Sequence, residues 1–93
     1  MRFIYSNIEY KKHPEEDTLV VSGEVTNDAG KHYNTVVFRI ILFIRAIPVA
    51  NVNFVIHNFY ANQTRPFEVR IPELSYKLIS RITRYEIYPE SAY

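Results

Sequence analysis

The chain of 93 residues and 11.0 kDa is short enough that folding hides only about 60–65% of the surface its unfolded form exposes, so a single core in a single domain, 1–93, is the limit. Isoleucine and valine supply 20 residues against 4 leucines, and with 5 threonines and 14 aromatics the strand-favouring types reach 39 of 93, which excludes a helical bundle. Eleven Lys and Arg against ten Asp and Glu leave a formal charge of +1, too weak a field to gather nucleic acid or an anionic membrane, and the absence of cysteine excludes disulfides, thiolate nucleophiles and cysteine-ligated metals.

Ile4, Ser6, Ile8 and Tyr10 fall on one side of a period-2 segment that stops at the charged, proline-containing run Lys11 to Asp17, which predicts a first strand and a turn. Leu19, Val21, Gly23 and Val25 then alternate with Val20, Ser22, Glu24 and Thr26 as in a half-buried strand. Gly23 faces inward by this alternation, where it makes room for a large aromatic across the sheet or marks a bulge. Asn27 to Lys31 reads as a polar turn with Gly30 at positive φ. From Tyr33 to Arg45 both sides are apolar: Val36, Phe38, Ile40, Leu42 and Ile44 on one, Val37, Arg39, Ile41, Phe43 and Arg45 on the other. This predicts a long central strand.

Pro48 bars an uninterrupted ladder, so a turn is expected near Ala46 to Pro48, with Val52, Phe54 and Ile56 sharing a face beyond it. Asn58 to Gln63 reads as a loop, and Pro66 opens a strand in which Phe67, Val69 and Ile71 point inward until Pro72 ends it. Tyr76 to Tyr88 has Ile79 and Ile82 on opposite faces by alternation, which requires a bulge or cover on both faces. At most one helical turn fits there. The run Thr35 to Val55 has the length of a membrane span, but Arg39, Arg45, Pro48, Asn51 and Asn53 interrupt it. The first residues lack an apolar leader and reach Glu9 early, so the chain as given is expected to be unexported unless it is cut from a longer protein; its compartment stays open.

Six or seven strands with short connections predict an antiparallel β-sandwich of immunoglobulin-like type, with an oligonucleotide-binding barrel as the alternative that lacks its usual helix. Val21, Val25, Phe38, Ile40, Leu42, Phe54, Ile56, Phe67 and Val69 form the expected core. The segments Val21-Ser22-Gly23-Glu24-Val25-Thr26-Asn27, Ile40-Ile41-Leu42-Phe43-Ile44, Asn58-Phe59 and Thr64-Arg65-Pro66-Phe67-Glu68-Val69 resemble the FxLYD family of small domains over residues 18 to 71. At the family's naming motif Ile40, Phe43 and Ile44 stand where phenylalanine, tyrosine and aspartate are usual, and Ile47-Pro48 replaces the turn glycine. The resemblance implies an immunoglobulin-like sandwich and a role in adhesion, scaffolding or ligand presentation, without catalytic residues.

Chemistry-bearing patterns are sparse. His13, His32 and His57 lack metal-chelating spacing, and Glu15-Glu16-Asp17 lacks the alternating ligands and glycine of a calcium loop. No serine sits in a nucleophile elbow, and two glycines cannot build a phosphate-cradling loop. No enzyme, metal or cofactor is therefore expected. Asn62-Gln63-Thr64 is a formal glycosylation sequon that reads as a polar turn. Two functions remain: a non-catalytic interaction module, and a binder of single-stranded nucleic acid or carbohydrate that would need arginines and two or more tyrosines on one concave face. The second side of the central strand, Val37, Arg39, Ile41, Phe43 and Arg45, is too apolar to face water in a lone sandwich. It is expected to be covered by the C-terminal segment or by a second copy in a homodimer.

Overall fold

The computed structural model describes residues 2–93. Among the described residues six strands are formed: β1 (Phe3–Lys12), β2 (Leu19–Asn27), β3 (Tyr33–Ile44), β4 (Ile47–Phe59), β5 (Thr64–Ile71) and β6 (Arg84–Ala92), with a 3-10 helix over Tyr76–Arg81. They make two three-stranded antiparallel sheets, β1-β2-β5 and β4-β3-β6. β1-β2 and β3-β4 are hairpins, and β5 and β6 each join the other side of the earlier hairpin.

The alternating apolar positions of both sheets meet in one core. Phe3 of β1 packs edge-on to Phe38 of β3 with ring centroids 5.2 Å apart, and Phe54 of β4 stacks on Phe67 of β5 at 4.4 Å. Val21, Val25, Phe38, Ile40, Leu42, Ile56, Phe67 and Val69 are buried as expected. Phe54, on edge strand β4, is only half-buried, sandwiched between Phe38 and Phe67. Gly23 also sits as its alternation requires: a Cβ there would lie 2.6 Å from Ile8 Cδ1 and 3.0 Å from Phe67 Cζ.

Several expectations are corrected. In β1 the pairing passes from Ser6–Glu24 to Glu9–Ser22, so one extra residue bulges, with Asn7 at φ 54. The bulge reverses the alternation. Phe3 and Tyr5 point inward before it and Ile8 and Tyr10 after it, while Ile4 is left 45% exposed. β3 ends at Ile44, because Arg45-Ala46 forms a two-residue turn with Arg45 at φ 57. β4 starts at Ile47 despite Pro48, which an edge strand tolerates, and runs on to Phe59; Thr64, not Pro66, opens β5. Finally, Tyr76 to Arg81 is helical: a three-residue period places Tyr76, Ile79 and Ile82 along one line, all packed against the core.

Asn27 is the one buried polar side chain among the described residues. Its Nδ2 donates to the carbonyls of Lys31 at 2.8 Å and Phe59 at 3.1 Å, and its Oδ1 accepts from Ala29 N at 3.0 Å. It ties the end of β2 to the following turn and to the end of β4. On the same side Arg65 of β5 donates to the carbonyls of His57 and Asn58, closing the flank between the two sheets.

Candidate interaction surface

The outward row of β3 consists of Thr35, Val37, Arg39, Ile41 and Phe43, because their neighbours Val36, Phe38, Ile40 and Leu42 point into the core. Register sets what lies beside each. Val37 is flanked by Val55 and Ser91, Arg39 by Asn53 and Tyr88, Ile41 by Asn51 and Glu86, and Phe43 by Pro48 and Arg84. An extra residue in β6 between Pro89 and Ser91 turns Glu90 onto this face.

Arg39 lies in the middle and is held by neighbours on both sides. Its Nε donates to Glu90 at 2.8 Å and its Nη1 to Asn51 Oδ1 at 2.6 Å, so its charge is matched by a carboxylate within the sheet. That contact, a charge-assisted hydrogen bond to Glu90, also raises the Arg39 pKa above its ordinary value. Phe43 lies beneath the Arg84 guanidinium, 3.7 Å from its ring centre, and is 9% exposed; Arg84 in turn pairs with Glu86. The C-terminal strand therefore supplies part of the cover that this row needs.

Val37, Arg39 and Ile41 are half-buried, and Phe43 is buried beneath Arg84. Arg45 is not on this face. It occupies the β3–β4 turn, where its backbone N donates to Thr83 Oγ1 at 2.8 Å while Thr83 donates to the Phe43 carbonyl. Its side chain lines a recess at that end with Ile44, Ile47, Arg81 and Thr83. Val55 and Tyr88, 46% and 40% exposed, join Val37 and Ile41 on the face. Single-strand alternation puts Val55 opposite Val52, Phe54 and Ile56, but its place beside Val37 follows only from cross-strand register.

The other exposed tyrosines are scattered. Tyr60 stacks on His32 at 4.6 Å at one end of the sandwich, Tyr93 is paired through its backbone with Thr35, and Tyr85 sits opposite Leu42 on the inward side of β6. Tyr88 is thus the one exposed tyrosine beside Arg39, and the recess at Arg45 and Arg81 is lined by none. Each histidine has a local partner: His13 Nδ1 accepts from the backbone of Glu15 and Glu16, His32 contacts Asn34, and His57 contacts Thr35. Among the described residues no three His, Cys, Asp or Glu side chains cluster as metal ligands would.

The outer face of the β1-β2-β5 sheet differs in character. Glu9, Lys11, Glu24, Glu68 and Arg70 line it around a shallow depression over Ser22 and Gly23, with Asn7 bonded to Glu24 and Arg70 paired with Glu16 at 2.6 Å. Such a mixed, self-paired surface is adequately solvated. No helix among the described residues is long and apolar enough to cross a membrane. Searches with the chain return no matching family model, no matching curated protein and no matching solved structure.

Proposed function

We propose that this domain is a non-catalytic interaction module, an immunoglobulin-like sandwich of the FxLYD type, that meets a second copy through the β4-β3-β6 sheet. The observation that carries the reading is the outer face of that sheet. Val37, Ile41, Val55 and Tyr88 form a largely uncharged band, and the one charge at its centre, Arg39, is already matched by Glu90. A flat apolar band whose charges are internally paired suits a protein surface better than a polyanion, which needs unpaired cations and stacking platforms. The opposite sheet lacks such a band, and the arginines nearest to Tyr88 are committed to Glu90 and Glu86.

Sedimentation of the wild type beside Val55→Lys tests the reading. The substitution adds a cation near Arg39 on an exposed position whose removal leaves the core intact. Concentration-dependent dimerisation that Val55→Lys weakens is the expected result. A wild type that remains monomeric at millimolar concentration, or a dimer indifferent to the added lysine, rejects it.

A further inference from the structure

A three-stranded sheet has two edges, and an exposed edge is a row of unpaired N–H and C=O groups that proteins ordinarily guard with proline, bulges or charge. Two of the four edges here, β5 and β6, are guarded along their length, and β1 is guarded from its bulge at Asn7 onward, with Phe3 to Ser6 left open. β1 carries the Asn7 bulge with Glu9, Lys11 and Lys12; β5 carries Pro66 among Arg65, Glu68 and Arg70; β6 carries Pro89, the extra residue Glu90, and the charges Arg84 and Glu86. β4 is guarded only at its two ends. Pro48 and the irregularity at Val49 protect the start, and Arg65 occupies the carbonyls of His57 and Asn58 near the finish.

Between them Ala50-Asn51-Val52-Asn53-Phe54-Val55-Ile56 has no proline, no glycine and no charged residue, and β3 is the one strand beside it. We propose that this edge pairs antiparallel with the same edge of a second copy, joining two β4-β3-β6 sheets into one continuous six-stranded sheet. The inference rests on the reading of this sheet as the self-association surface and places the contact at its β4 edge, with the outer bands of the two copies side by side and not face to face.

The pattern of the segment is self-complementary about a two-fold axis at Asn53. Outward positions then oppose Asn51 to Val55 and Asn53 to itself, so no like charges meet. Inward positions oppose Val52 to Phe54, an aromatic–β-branched pair of the kind that stabilises antiparallel sheets. Both of these inward side chains are only half-buried in the single chain, and a neighbouring strand covers what the core leaves open. The outer bands of the two copies become continuous across the new pair.

The test combines light scattering with amide exchange of the full chain, measured by NMR at a dilute and a concentrated condition. In an antiparallel strand alternate amides point to each side. Pairing therefore slows the outward-pointing set within Ala50–Ile56 by about tenfold or more as the dimer forms, and leaves the set bonded to β3 unchanged. Asn53→Lys, which sets two cations face to face on the axis, is expected to abolish the dimer with the fold retained; Ile41→Glu, on the middle strand, is expected to leave it. A dimer in which no β4 amide slows overturns the inference on the wild type alone. A dimer lost in Ile41→Glu and kept in Asn53→Lys also overturns it, while retaining the sheet as the contact surface through its face. A monomer at every concentration overturns both readings.

Discussion

Gly23 gives the sharpest test of how tightly the two sheets fit. An added Cβ would meet Ile8 Cδ1 at 2.6 Å and Phe67 at 3.0 and 3.1 Å, and these neighbours differ in compliance. Ile8 Cδ1 is the tip of a flexible side chain in the half-buried stretch after the β1 bulge. The Phe67 ring is buried and stacked at 4.4 Å on Phe54, which stacks in turn at 5.0 Å on Phe38. Gly23→Ala must therefore turn the isoleucine and push a ring that has little room to move. Overpacking of this kind costs about 1–3 kcal/mol, offset by roughly 0.5–1 kcal/mol from replacing glycine within a strand. The net expectation is a loss of about 1–2 kcal/mol, or roughly 4–16 °C in Tm for a domain of this size. Ile8→Val removes the Cδ1 atom that makes the shortest contact. In a denaturation cycle the double variant should then be more stable than the two single losses predict, by about 0.5–1 kcal/mol. A Gly23→Ala variant as stable as wild type, or strict additivity with Ile8→Val, would refute the packing described for this position.

Tyr5 has a buried hydroxyl without a partner, and burial pushes its pKa up to about 12; Tyr5→Phe should leave stability unchanged or raise it by up to about 1 kcal/mol in urea melts. A phenol whose folded pKa lies above its unfolded value of about 10 contributes stability that is complete below pH 10 and lost as pH rises towards 12, so Tyr5→Phe should also flatten the alkaline limb of a stability–pH curve. Asn27→Ala strands the Lys31 and Phe59 carbonyls and the Ala29 N–H and should cost about 2–4 kcal/mol by equilibrium denaturation. Arg45 at φ 57 sits where glycine is favoured; Arg45→Gly should stabilise by about 0.5–1 kcal/mol in thermal melts, after allowing for glycine's greater chain entropy.

Where one strand's own alternation decides the face, the sequence is sufficient. Val21 and Val25, Phe38, Ile40 and Leu42, and Phe67 and Val69 are buried for that reason, and Gly23 faces inward by the same argument, with Phe67 beside it. The misread positions have a different cause. The Asn7 bulge inserts one residue and so exchanges the roles of Ile4 and Tyr5, and no residue type in Ile4 to Tyr10 announces it beyond an asparagine that tolerates positive φ. Asn27 looks like any turn asparagine until Phe59, thirty-two positions on, is brought beside it. The contact surface was half legible. Val37 and Ile41 follow from the apolar second side of β3, but the matching of Arg39 by Glu90, the capping of Phe43 by Arg84 and the addition of Val55 and Tyr88 all depend on pairing between distant strands. Arg45 left the row because a two-residue turn, closed by Thr83, ends β3 one position sooner than hydrophobic periodicity implies.

The path of the chain has a consequence for folding kinetics. Each sheet begins as a hairpin and is completed by a strand that arrives after the chain has crossed to the other sheet: Leu19 of β2 pairs with Ile71 of β5, and Val36 of β3 with Ala92 of β6. Each sheet buries its apolar face only against the other, so no half of the molecule forms a stable subdomain, and unfolding should be all-or-none by every probe. The two-residue β3–β4 turn closes the shortest loop and offers the earliest native pairing, whereas the β2–β5 and β3–β6 ladders must wait for closures of many tens of residues, which places the refolding of this small domain towards the slow end, milliseconds to seconds.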